Sequence, residues 1–143
     1  MKTDLRVFVD SDVVISSLIS SSGAAFLLLN QSKRHKLLVS NISVKEMRIV
    51  VLRMRLGISK LDELLEERLI IIKLKQKAVE FRKTYGNYVT DVNDAHIVAG
   101  AVIAKAKFLI TYNVRHYKTE KIRSKLEIVI LTPAKYLQYL RSL

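Results

Sequence analysis

Five short apolar runs recur along the chain: Leu5 to Asp10, Leu37 to Ser40, Leu69 to Leu74, Phe108 to Thr111 and Glu127 to Leu131. Segments of helical periodicity lie between most of them. Strands whose return path is taken by a helix cannot pair as hairpins, so they align in parallel with helices packed on both faces. The pattern predicts an α/β fold, a three-layer α/β/α sandwich around a mainly parallel five-stranded sheet. At 143 residues the chain has the length of a single domain, 1–143, and enough material for one substantial core. No internal repeat, low-complexity tract or linker divides it.

The helices carry their own punctuation. Asp12 to Ile19 offers Val13, Val14, Ile15 and Leu18 to a core and stops at the Ser20-Ser21-Ser22-Gly23 cluster. Ala24 to Lys36 reads as a second helix, apolar along Ala25, Phe26, Leu28 and Leu29 and ending in Lys33-Arg34-His35-Lys36. Ser43-Val44-Lys45-Glu46 has the S-x-x-E form of a capping box, which places Glu46 at the third position of a helix that continues to Met54. Ser59 to Glu67 and Gln76 to Tyr85 follow as amphipathic helices. Asp91-Val92-Asn93-Asp94 then opens a small-residue helix, Ala95 to Lys105, suited to close packing on a sheet. The basic stretch from Asn113 to the last strand reads as a loop. Thr132-Pro133 caps a closing helix to Leu140.

Half of the residues are hydrophobic, yet no apolar run approaches the 18 residues of a membrane span. The segment from Met1 to Leu5 enters a strand without an apolar leader, so a soluble, cytoplasmic protein without membrane contact is expected. Cysteine is absent, which excludes disulfides and thiolate metal sites. The net charge of +12 favours polyanionic partners, nucleic acid or an acidic protein, although scattered lysines also serve solubility.

Three acids combine with that charge. Asp10, Glu46 and Asp94 each have a capping explanation when taken singly. In a parallel sheet, however, the C-terminal ends of the strands and the starts of the helices share one edge, and acids from distant parts of the chain converge there. Converging carboxylates repel unless a cation neutralises them or a proton is retained. Mg²⁺ or Mn²⁺, which take oxygen ligands, fit such a site, and metal-assisted phosphodiester hydrolysis unites an acidic pocket with a basic surface.

The chain resembles the PIN-domain nucleases in four places that lie in register over nearly its whole length. These are Asp10-Ser11-Asp12-Val13 after the first strand, Ser43-Val44-Lys45-Glu46, Asp91 to Ala99, and Leu109-Ile110-Thr111-Tyr112-Asn113 with Tyr117 beyond. The resemblance implies a Mg²⁺- or Mn²⁺-dependent ribonuclease of PIN-like fold, most often the toxin of a toxin–antitoxin pair of the VapC type, acting on RNA as a homodimer. It implies that Asp10, Glu46 and Asp94 hold the metal, that Asp91 assists through a water or caps its helix, and that Thr111 orients the site. Asn113 stands where many relatives have a fourth acid and, on the same resemblance, would coordinate the metal through its carbonyl oxygen without adding charge, while Asp12 stands in place of the usual Asn, restoring negative charge nearby.

Arg115, Lys118, Lys121 and Arg123 follow the Asn113 strand end and are placed to grip an RNA backbone or to lie in a solvated loop. Tyr112 and Tyr117 could stack a base, Tyr117 alternatively anchoring the core. His96 and His116 are read as packed or surface residues, not as acid–base groups. Lys33, Arg34, Arg53, Arg55, Lys73, Lys75 and Lys77 read as solvated faces. The apolar surplus of Val44 to Met54 and Leu61 to Leu65 suggests a dimer surface.

Two other functions remain open at this point. Asp10-Ser11-Asp12-Val13-Val14 satisfies the D-x-D-x-[TV] motif of haloacid-dehalogenase-like phosphatases, in which the first Asp is a nucleophile. A PIN-fold module that binds RNA or protein with weak catalysis is compatible with Asn113.

Overall fold

β1 (Leu5–Val9) is the axis of the sheet because it is apolar on both faces. Val7 and Val9 enter one core and Phe8 the other, and all three are fully buried. The computed structural model describes residues 5–31 and 35–143, so Met1 to Asp4 and the basic pair Lys33-Arg34 lie outside the described residues. β2 (His35–Ser40), β3 (Leu69–Ile72), β4 (Phe108–Ile110) and β5 (Val129–Leu131) join β1 in one five-stranded sheet of order β3-β2-β1-β4-β5. Every pairing is parallel, with Phe8 of β1 opposite Leu38 on one side and Leu109 on the other.

The helices, in chain order, are α1 (Ser11–Ile19), α2 (Ala24–Asn30), α3 (Asn41–Arg53), α4 (Ile58–Glu67), α5 (Ala78–Tyr85), α6 (Ala95–Ile103), α7 (Thr119–Leu126) and α8 (Pro133–Arg141). α1 to α4 and α8 bury Val13, Leu28, Met47, Leu61 and Tyr136 on one face of the sheet. α5, α6 and α7 bury Phe81, Val98 and Ile122 on the other. The expected three-layer sandwich is therefore present. Among the described residues no single helix is long and apolar enough to cross a membrane.

α6 comes closest to the sheet. Its residues Ala95 to Ala101 are all buried, and a Cβ at Gly100 would stand 2.4 Å from the Phe8 ring. Only a residue without a side chain lets the helix backbone rest on β1 here. This packing fixes the start of α6, where Asp94 and His96 lie.

Four local expectations are corrected. α2 ends at Asn30 instead of Lys36, and His35–Ser40 is strand, because the polar and basic residues before Leu37 extend the edge of an apolar run. α3 begins before Ser43: Ser40 is the N-cap, its Oγ accepting from Ser43 N at 3.0 Å, and Ser43 is itself buried. Glu46 therefore lies in the second turn and caps nothing. The basic stretch after Asn113 is not a loop but a 3₁₀ turn, Val114–His116, followed by α7. α7 shows no apolar stripe because Ile122 is its one fully buried residue. Finally, Leu61 and Leu65 are buried in the core, so of the two segments expected to form a dimer surface the exposed apolar residues are Ile49, Leu52 and Met54 around α3.

The strand order also locates the site. The chain leaves β1 outward through β2 and β3 and returns to the other side of β1 for β4. The carboxyl ends of β1 and β4 therefore flank the point where the crossovers diverge, the crevice in which open α/β sheets bind ligands.

Candidate active site

Asp10 and Thr111 are the first residues beyond β1 and β4, and the ladder continues to them through Asp10 N donating to Ile110 O at 2.9 Å. Asp10 does cap α1, its Oδ1 accepting from Ser11 N at 2.7 Å. That bond leaves Oδ2 to other partners, and it accepts from Tyr117 Oη at 2.8 Å and Thr111 Oγ1 at 2.9 Å. Burial pushes the Asp10 carboxyl above its ordinary pKa, and the Tyr117, Thr111 and Ser11 donors oppose the shift. Burial, reinforced by the Asp10 charge, drives the Tyr117 phenol above its own ordinary value, so it remains a donor at any physiological pH.

Asp12 stands beside this pair on the first turn of α1. Its Oδ2 accepts from Tyr112 N and Asn113 Nδ2, each at 3.1 Å, and lies 3.4 Å from Thr111 Oγ1. Burial first and the Asp10 carboxylate second push its pKa up to about 7, against the Tyr112 and Val13 amides. Its other oxygen, Oδ1, is buried without a well-formed hydrogen bond, as is Ser11 Oγ. Thr111 is fully buried and organises the group, because its Oγ1 also accepts from Asn113 N at 3.0 Å.

Asp94 sits at the N-terminus of α6 with no capping bond of its own. Burial raises its pKa first, then the charges of Asp10 and Asp91, while His116, with Nδ1 3.7 Å from Asp94 Oδ2, and His96 lower it. Asp91 is exposed and caps the 3₁₀ turn Val92–Asp94 by accepting from Asn93 N at 3.0 Å. Of its two expected roles the cap is the one the geometry displays. The segment before Asp91 is clipped to that of Tyr117 by Thr90 N donating to His116 O and Lys118 N to Tyr88 O, both at 2.9 Å. Asp94 and Tyr117 are thereby held at one end of the sheet.

Glu46 reaches the group through a residue that sequence reasoning set aside. His96 is 3% exposed, and its Nε2 lies 3.2 Å from Glu46 Oε1, whereas the Glu46 side chain is half exposed. His96 also lowers the pKa of both Asp10 and Asp94, so it stands among the acids. Two further roles went unread: Tyr117 as a donor to Asp10, and His116 as a partner of Asp94. Tyr117 was legible as a core anchor because it is an isolated aromatic in a basic stretch, but nothing in the spacing reports its hydroxyl's target.

The basic residues separate into two groups. Arg123 Nη2 is 2.8 Å from Glu120 Oε2, and Lys121 Nζ lies 3.3 Å from Asn87 O and 4.9 Å above the Tyr88 ring. Both are committed to neighbours. Arg115 and Lys118 are exposed, and Arg115, with His116, Asn113 and Lys135, lines a cleft of about 290 Å³ beside the carboxyl ends of the strands.

Among the described residues no three acidic or histidine side chains are already drawn around one point. The chemistry of the donor set nevertheless fits a hard divalent cation. The groups are carboxylates, burial first and their mutual repulsion second raise their pKa values, and Asp12 Oδ1 is a buried oxygen without a good donor.

Solved structures share the fold. VapBC2 from Rickettsia felis bound to a promoter DNA fragment aligns over 90% of this chain and 98% of that chain, with a TM-score of 0.62 at 18% identity. VapBC-1 from nontypeable Haemophilus influenzae aligns over 91% and 99%, with a TM-score of 0.63 at 17% identity. VapC20 of Mycobacterium tuberculosis, a sarcin–ricin loop cleaving toxin, aligns over 86% and 98%, with a TM-score of 0.53 at 14% identity. No curated protein sequence matches. The family model for the PIN domain matches residues 6–115, a span from β1 to beyond Asn113 that includes Asp10, Asp12, Glu46, Asp91 and Asp94, and the chain therefore belongs to the PIN-domain family.

Proposed function

We propose that this protein is a metal-dependent endoribonuclease that hydrolyses RNA phosphodiester bonds, with Asp10, Glu46 and Asp94 holding Mg²⁺ or Mn²⁺. The observation that carries the reading is the setting of Asp10. It is a half-buried carboxylate at the sheet's crevice whose charge adds to burial in raising the pKa values of Asp12 and Asp94. A fold that gathers like charges in this way favours a cation. Membership of the PIN-domain family supports the same reading. When bound, the ion would supply a water of lowered pKa and neutralise charge on the leaving oxygen.

The chain's own residues set up the site. Tyr117, Thr111 and Ser11 fix both oxygens of Asp10, and Oδ1, with a single donor, keeps acceptor capacity for a cation. His96 orients Glu46, and His116 stands at Asp94. Arg115 and Lys135 border the adjoining cleft and would meet the phosphates, in line with the net charge of +12. The phosphatase reading of Asp10-Ser11-Asp12 is not favoured, since the family match is to the PIN domain.

The structural neighbours come from toxin–antitoxin complexes, which supports a toxin role with a protein antitoxin as partner. Homodimerisation through exposed Ile49, Leu52 and Met54 and residence in the cytoplasm complete the proposal. The test is cleavage of single-stranded RNA by purified protein with Mn²⁺. Cleavage that depends on the metal and disappears in Asp10→Asn and Asp94→Asn is expected. Wild type that cuts no faster than these variants would overturn the reading and favour a binding module.

A further inference from the structure

Asp12 and Asn113 face each other across the gap between α1 and the end of β4, and their side chains form one contact, Asn113 Nδ2 to Asp12 Oδ2 at 3.1 Å. The Tyr112 amide adds a second bond to the same oxygen. Asp12 Oδ2 is thus pinned from the β4 side, and Oδ1 is left buried without a well-formed partner. Asn113 is exposed and its side-chain amide makes no other hydrogen bond among the described residues, so that group's visible task is to hold Asp12. The contact joins one charge to one neutral amide. Two carboxylates at this distance would repel, and two amides would carry no charge toward the crevice.

We infer that Asp12 is the outer carboxylate of the metal site and that Asn113 is its positioning residue, the two forming a pair whose acid and amide can be exchanged between the α1 and β4 positions. The inference rests on the proposal that the site binds a divalent cation. It goes beyond that proposal in assigning the fourth charge to Asp12 and a holding role, instead of ligation, to Asn113. Thr111 serves both halves, since its Oγ1 lies near Asp12 Oδ2 and accepts from Asn113 N.

The test measures Mn²⁺ affinity, by the loss of the free-ion electron paramagnetic resonance signal, in wild type, Asp12→Asn, Asn113→Asp and the double exchange. Thermal melts of the metal-free proteins check the fold. Asp12→Asn is expected to weaken Mn²⁺ binding by about 10- to 100-fold, the usual cost of losing a supporting group at a metal site. Asn113→Asp places a second carboxylate against Asp12, lowering the melting temperature without metal and enlarging the rise on adding Mn²⁺. The double exchange restores wild-type affinity to within about threefold, a non-additivity that only directly coupled residues show. Wild-type affinity in Asp12→Asn, or single effects that simply add in the double exchange, would overturn the inference while leaving the site itself intact. Absence of Mn²⁺ binding in folded wild type would overturn both, and Asp10→Asn separates the cases by abolishing binding only if the site exists.

Discussion

The hydroxyl of Tyr117 donates to Asp10 Oδ2 at 2.8 Å, joining a residue before α7 to the end of the central strand. The ring is 4% exposed and packs in the same core as Phe8, so its two parts do different work. The ring stabilises the fold and the hydroxyl orients a carboxylate. Tyr117→Phe should keep the first and lose the second. We expect a folded protein, destabilised by about 1–3 kcal/mol at most for the lost charge-assisted bond, with a roughly 10- to 100-fold drop in metal affinity or RNA cleavage. A urea melt beside a Mn²⁺ titration checks this. Unchanged metal affinity would reduce Tyr117 to a core residue.

His96 is buried at the start of α6 with Nε2 3.2 Å from Glu46, and Nδ1 has no hydrogen-bond partner among the described residues. His96→Leu removes the neighbour that holds the half-exposed Glu46 side chain in place, whereas His96→Gln retains a polar group at that depth. The expected order of metal affinity is wild type, then His96→Gln, then His96→Leu, the last reduced by about tenfold or more. In a Glu46→Gln background the His96 substitutions should have much smaller effects, because contacting residues do not add. Additive losses would detach His96 from Glu46.

The fold was far more legible than the site. Alternation of apolar runs with helical segments prescribes a parallel sheet, and the sheet prescribes a shared edge, so the convergence of Asp10 with the start of α6 followed from periodicity. The donors of that edge were not readable. Tyr117 and His96 act through single polar atoms on otherwise buried side chains, and hydropathy patterning records the burial without recording where the polar atom points. The same limit produced the capping error at α3: Ser43 and Glu46 have the spacing of a capping box, but Ser40, at the end of β2, is also a good cap and lies where the chain turns. α7 escaped notice because Ile122 alone carries its buried face.

Gly100 tests how tightly the site depends on α6. A methyl group there would stand 2.4 Å from the Phe8 ring, which is itself fully buried on the central strand. Gly100→Ala should destabilise the protein by about 1–3 kcal/mol through overpacking. The displacement of α6 should also move Asp94 and His96, weakening metal binding in protein that remains folded. Phe8→Leu, destabilising by itself, should cost less in the Gly100→Ala background because the smaller side chain vacates the space. A Gly100→Ala protein as stable as wild type would mean that α6 and β1 separate without cost.

The half-buried carboxyls also make the metal-free protein sensitive to pH. Asp12 titrates at about 7 in the folded state against 3.8 when unperturbed, and Asp10 and Asp94 are shifted in the same direction, all chiefly by burial. The folded protein therefore binds more protons than the unfolded chain between about pH 4 and pH 7. Stability contributed by these groups is fully present at the acid end and is lost as the pH rises through their folded-state values. Thermal melts in chelator should show this loss for wild type, and a flatter profile for Asp12→Asn, which carries no proton to give up. Mn²⁺ or Mg²⁺ should return stability at neutral pH and have little effect near pH 4, since a cation binds the deprotonated carboxylates of the folded chain. Parallel profiles for wild type and Asp12→Asn would show that Asp12 ionises without opposing the fold.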